Sequence, residues 1–209
     1  MSRPFRRAAA LTLLCAGLLV PATASQAGPA KGVKRASSVK AFISLGGTDR
    51  ARASQQECEN ADIAPNGGNL DEVRAAILCL HNQIRAQRGL PLLKENAKLR
   101  GAAVEHSSDM VSRGFFEHTT PGGVTMVDRI IGAGYAKRND GWTLGENLAW
   151  GTGDLSSAKG VMDAWMNSAG HKANILKRAY KEVGIGIKLG VPSDDGVGAT
   201  ITADFGVKL

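Results

Sequence analysis

The chain reads as an α+β protein with a small antiparallel sheet. Helical periodicities come first, paired strand alternations come last, and no βαβ rhythm links them. Asn69 with Glu72 resembles a capping box that opens a helix, and Leu70, Val73, Ile77, Leu80 and Ile84 then recur on one face. Gly89 ends that helix, with Pro91 beyond it as a breaker. A second helix is predicted from about Asn96 to Ser112, with Leu99, Ala103, His106 and Met110 as its stripe and Gly114 after it. Phe115 to Thr125 reads as a polar loop around Pro121-Gly122-Gly123, followed by a short helix over Met126–Ile131 that ends near Gly132. Gly145–Trp150 fits a short strand or an extended loop. Asp154 is expected to cap a third long helix whose inward side carries Val161, Ala164, Trp165 and Ser168. Val183, Ile185 and Ile187, then Ile201, Ala203 and Phe205, alternate as strands around the turn-rich stretch Pro192–Gly198.

With 209 residues, 43% hydrophobic and 22% charged, the chain has the size of one domain, or at most two small ones, and the composition of a folded protein. Its formal charge of +7 invites a nucleic-acid reading until the charge is located. Residues 1–27 read as a signal peptide: Arg3, Arg6 and Arg7 precede an apolar run from Ala8 to Val20, and small residues follow at Ala22, Ala24, Ser25 and Ala27. That run is too short for a bilayer span, so no transmembrane anchor is expected. Residues 28–54 carry Lys31, Lys34, Arg35, Lys40, Arg50 and Arg52 against Asp49 alone, and read as a flexible basic linker. The signal holds +3, the linker +5 and residues 55–209 only −1. The globular part is not basic, so no nucleic-acid partner is expected.

Beyond the signal peptide two cysteines remain, Cys58 and Cys79. In an exported chain they suggest one disulfide, the alternative being two buried thiols. The chain-entropy model gives such a bridge roughly 3 kcal/mol. Of the four histidines, His81 and His106 lie on or beside apolar helix faces and read as hydrogen-bonded core residues. His118 and His171 read as loop residues beside glycines, and Glu146 between Gly145 and Asn147 is the third candidate. Two imidazoles and a carboxylate can hold a divalent metal such as zinc, or do acid–base work without one. Ser156-x-x-Lys159 has no SDN or KTG companion, and a helix start explains its serines better.

The ordered motifs His81-Asn82-x-x-Arg85, Ala102-Ala103-x-x-His106-Ser107-x-x-Met110 and Phe116-x-His118 resemble the opening of the CAP superfamily. Its members include cysteine-rich secretory proteins, insect antigen 5 and plant pathogenesis-related proteins. The likeness continues through Asp128-Arg129, Gly134-Tyr135, Gly145-Glu146-Asn147 and Trp165-Met166-Asn167-Ser168. It ends with Gly170-His171-Lys172-Ala173-Asn174-Ile175-Leu176 and Gly184-Ile185-Gly186, in the style of the bacterial secreted branch.

The resemblance implies a three-layer α-β-α sandwich over residues 55–209, with a cleft holding a His/Glu/Glu/His tetrad. Three tetrad positions fall on His118, Glu146 and His171; the second glutamate falls where this chain has Ser168. His81, Asn82 and Arg85 correspond to scaffold residues. Zinc, sterol or lipid binding, membrane association, protease-like activity and partner binding are all associated with the superfamily, so fold alone does not assign function. The expectation is a secreted, monomeric, non-catalytic binding module, free or lingering at the cell wall, for a wall component, lipid or peptide. His118, His171 and Glu146 are its expected metal residues. The alternative is a metal-assisted extracellular hydrolase with Glu146 as general base.

Overall fold

The computed structural model describes residues 45–193 and 196–209. The expected signal peptide and residues 28–44 of the expected linker lie outside the described residues. The last part of that linker is corrected: Leu45–Gln55 forms a helix, α1, packed on the following helix. Its Ala, Arg and Gln residues are good helix formers, and the neighbouring helix supplies the support that an apolar stripe would otherwise give.

Helix α2 spans Leu70–Gln87. Asn69 occupies its N-cap position but makes no capping bond. The side chain instead turns back, accepting from the Asn66 N–H and donating to the Ala64 carbonyl, so the expected capping box is not formed. The buried centre of α2 is Val73, Ala76, Ile77, His81 and Arg85, with Leu70, Leu80 and Ile84 on its flanks. The Cys58–Cys79 disulfide is formed and fastens the segment after α1 to α2. Strand β1 (Lys94–Glu95) leads into α3 (Ala97–Arg113), capped by Asn96 and ended by left-handed Gly114. Helix α4 (Met126–Gly132) opens with a Thr125–Asp128 capping box.

Strand β2 (Trp142–Gly151) is longer than the sequence reading allowed. A 3-10 turn, Gly153–Ser156, then precedes α5 (Ala158–Asn167), which Ser157 rather than Asp154 caps. Its buried face is Ala158, Val161, Met162 and Trp165; Ala164 is exposed. Helix α6 covers Ala169–Leu176, and β3 (Glu182–Leu189) and β4 (Ala199–Lys208) close the chain.

The sheet order is β1-β3-β4-β2. β2, β3 and β4 pair antiparallel as expected, while the two-residue β1 adds a parallel edge to β3. Helices α2, α5 and α6 cover one face, where Val183, Ile185, Ile187, Ile201, Ala203 and Phe205 meet Ile77, Val161 and Trp165. Helix α3 covers the other face so closely that a Cβ at Gly184 or Gly186 would overlap its backbone at Arg100 and Ala103. Ser107 of α3 hydrogen-bonds the Thr202 hydroxyl of β4 at 2.8 Å across this contact. The result is the three-layer α-β-α sandwich.

Arg85 staples the helical layer to the chain that enters β3. Its guanidinium donates to the carbonyls of Pro91, Ile175, Lys177 and Tyr180 at 2.7–3.0 Å, and the residue is fully buried. Asn82 adds a two-way bond to the Leu93 backbone. Both are scaffold residues, as their motif implied. Arg85→Leu strands these carbonyls in a dry interior and is expected to cost about 3 kcal/mol or more in urea unfolding. A loss under about 1 kcal/mol would contradict that role.

Candidate functional site

Glu146 is held at mid-strand in β2, and the strand is fixed from outside the sheet by side chains. Tyr180 Oη donates to the Leu144 carbonyl, Asn174 Nδ2 to the Glu146 carbonyl and Trp165 Nε1 to the Leu148 carbonyl, at 2.8, 3.1 and 2.9 Å. These alternate carbonyls turn away from β4, so β2 is an edge strand whose open side is occupied by α5, α6 and Tyr180. Gly145 is required here because a Cβ would collide with Tyr180 and Asn174. Asn147, fully buried, accepts from Asn174 and donates to the His171 carbonyl at 3.0 Å. That bond seats the start of α6 beside the strand.

His118 lies in the loop after α3, as expected. His106 Nε2 bonds the Glu117 carbonyl at 3.0 Å, and because a carbonyl only accepts, that nitrogen carries the proton. Arg129 of α4 donates to the His118 and Val124 carbonyls, and Thr120 pairs with Val124 to close the turn. The loop is therefore fixed by buried groups on α3 and α4. Glu146 lies on β2, the strand form of the two expected for Gly145–Trp150, whereas His171 lies on α6, which corrects its reading as a loop residue.

The structure joins two of the three candidates directly. His118 Nδ1 lies 2.7 Å from Glu146 Oε1, and Arg129 Nη2 lies 2.6 Å from Glu146 Oε2. The Glu146 side chain is 1% exposed and that of Arg129 4%, whereas His118 is 57% exposed. Burial pushes the Glu146 pKa up, but the His118 hydrogen bond and the Arg129 charge and hydrogen bond outweigh it and leave the group below its ordinary 4.5. The hydrogen bond to Glu146 raises His118 above 6.5, against the opposing effect of burial. His171 is half-buried against Trp165 and is lowered, first by burial and then by the neighbouring His118 charge. His81 and His106 are core residues, as read; burial takes His81 down to about 4. Ser168 stands between α5 and α6 and brings no carboxylate.

The structure does not bring His118, His171 and Glu146 together as three ligands of one ion. Among the described residues no group of three or more His, Cys, Asp or Glu side chains is placed to hold a metal. Both oxygens of Glu146 are engaged inside the protein, Oε1 by His118 and Oε2 by Arg129. Its geometry suits a different duty. A carboxylate that accepts from His118 Nδ1 fixes the tautomer and leaves Nε2 free to bind, the arrangement of an orienting partner behind a ligating imidazole.

Sequence reasoning missed two residues of the site. Arg129 carries no signal beyond its place in the Asp128-Arg129 motif, and nothing in a short helix start announces a buried cation. Asp204, directly opposite Glu146 on β4, lies on the face that alternation with Ala203 and Phe205 assigns to solvent; it is fully buried because α3 covers that face.

With fold and site described, the class is plain: the chain belongs to the CAP (cysteine-rich secretory protein) family, whose model matches residues 78–201. It is 29% identical over 147 residues to the Bacillus subtilis protein YkwD, covering 70% of this chain and 54% of that one. It is also 32% identical over 111 residues to the B. subtilis membrane protein YlbC, covering 53% and 30%. The chain thus spans about half the length of one relative and under a third of the other. An extracellular SCP-domain protein from Bacillus anthracis is similar in structure at a TM-score of 0.51 and 26% identity, over 68% of this chain and 44% of that one. An outer surface protein from Borrelia burgdorferi shares the fold at a TM-score of 0.57 and 18% identity, over 70% of this chain and all of that one.

The shifts set a pH window. Glu146, lowered, contributes stability that is present above 4.5 and lost as pH falls through its folded value. His118, raised, contributes stability that is full below 6.5 and lost as pH rises through its folded value. Their pair therefore stabilises most in mildly acidic solution. The stability difference between wild type and His118→Ala, followed by urea unfolding, is expected to be largest near about pH 5.5 and to shrink by about pH 8.5. A difference that grows with pH contradicts the pairing.

Proposed function

We propose that the chain is an exported, non-catalytic binding module whose cleft presents the imidazoles of His118 and His171 to its ligand. One observation carries this reading: Glu146, the carboxylate bonded to the His118 imidazole, is committed to Arg129 and His118. A carboxylate held below its ordinary pKa and sealed from solvent is a poor acceptor for a substrate or water proton near neutral pH. The hydrolase alternative gains no support from this geometry, and Ser168 offers no second carboxylate.

His118 and His171 are the groups that would hold zinc or another divalent cation, with Glu146 orienting His118 rather than binding. Such an ion would supply a polarising charge in the cleft, to which a wall component, lipid headgroup or peptide could attach. The extracellular address is supported by the family and by the signal-like residues 1–27. Among the described residues no helix is long and apolar enough to cross a membrane.

Calorimetric titration with zinc tests the cleft. Binding is expected to disappear in the double variant His118→Ala, His171→Ala and to persist, weakened about tenfold or more, in Glu146→Gln. Binding that survives the double substitution would falsify the assignment. In parallel, zinc-loaded protein is expected to leave a panel of peptides and peptidoglycan fragments intact. Turnover that Glu146→Gln abolishes would establish the hydrolase instead.

A further inference from the structure

Asp204 has no part in ligand binding as proposed, yet it is fully buried and pairs in register with Glu146 across β2 and β4. Because the Glu146 carbonyl turns away from β4, the two residues form a non-hydrogen-bonded pair, in which opposing side chains approach most closely. Neither oxygen of Asp204 has a hydrogen-bond donor among the described residues. On its other side β4 meets Gly184 of β3, which has no side chain to offer. Arg129 of α4 is the cation that acts on Asp204, but its hydrogen bonds go to the His118 and Val124 carbonyls and to Glu146, and its Nε reaches no acceptor. On α3, the protonated nitrogen of His106 is spent on the Glu117 carbonyl.

Two carboxyl groups thus share one buried cation, and Asp204 has no donor of its own. Two adjacent negative charges in a dry interior are costly, and one proton between them removes that cost.

We propose that Asp204 is a neutral carboxylic acid that donates its proton in a hydrogen bond to Glu146, and so is the positioning residue that fixes Glu146 for His118. The second carboxyl beside Glu146 then comes from β4, not from the end of α5 where Ser168 stands. Burial and the neighbouring Glu146 charge act in the same direction, raising the Asp204 pKa well above its ordinary value. The proton assignment depends on the burial of Glu146 and not on what the cleft binds, so the two readings stand or fall separately.

Carbon-13 NMR of the Asp204 carboxyl in the full chain tests the protonation directly. A protonated-acid chemical shift that persists through neutral pH is expected; an ionised carboxylate at about pH 6 would overturn the proposal. Asp204→Asn replaces one neutral donor with another, so the His118 titration midpoint is expected to stay within a few tenths of a unit. A fall of about one unit would mean that a negative charge had been removed, and would also overturn it. The His118 Nδ1 proton signal is expected to survive in Asp204→Asn and to be lost in Asp204→Ala. Its retention in a folded Ala variant would leave Asp204 no positioning role. If the Ala variant does not fold, the wild-type carboxyl shift and the Asn variant still decide the matter.

Discussion

The site is built around the ion pair between Glu146 and Arg129, 2.6 Å apart with both side chains almost wholly buried. A carboxylate enters such an interior only if charge and hydrogen bonds replace water. Arg129 supplies the charge, and its other terminal nitrogen donates to the His118 and Val124 carbonyls. One guanidinium thus ties α4, the loop after α3 and β2 together. Removing it would leave Glu146 charged and buried without its cation, and would free the loop that carries His118. The placement of His118 is therefore a consequence of how Glu146 is neutralised.

A second set of bonds makes that arrangement rigid. Strand β2 lies at the sheet edge, where its outward carbonyls would otherwise need water or another strand. Tyr180, Asn174 and Trp165 take those carbonyls one by one, and Asn147 reaches out to the His171 backbone. The helical layer is in turn stapled by Arg85 and fastened to the preceding segment by the Cys58–Cys79 bridge. His171 on α6 and His118 in the loop after α3 are each positioned by a buried polar residue, Asn147 for the first and Arg129 for the second. Polar groups, not apolar area, set the positions of these two histidines.

The sequence carried the architecture wherever a periodicity had one clear cause. The stripe of α3, the glycine at its end and the alternation of β3 and β4 all reappear in the structure. It misled where the cause was tertiary. Asn69 stands at an N-cap position but bonds backwards into the preceding turn, and Asp154 yields the cap of α5 to Ser157. The face of β4 that carries Thr200, Thr202 and Asp204 has the residue types of a solvent-facing side, yet α3 buries all three residues. For the site, residue types and order brought His118, Glu146 and His171 forward. They could not reveal that Glu146 is occupied, because its partner Arg129 is distant in sequence and its motif looks like any helix start.

The site depends above all on the commitment of Glu146 to Arg129. A double-mutant cycle on Glu146→Gln and Arg129→Met, read by urea unfolding in low and high salt, measures that commitment. The expected coupling is about 2 kcal/mol or more and insensitive to salt, as for a desolvated pair. Additivity within about 0.5 kcal/mol would contradict the account, since it would mean that Glu146 is free.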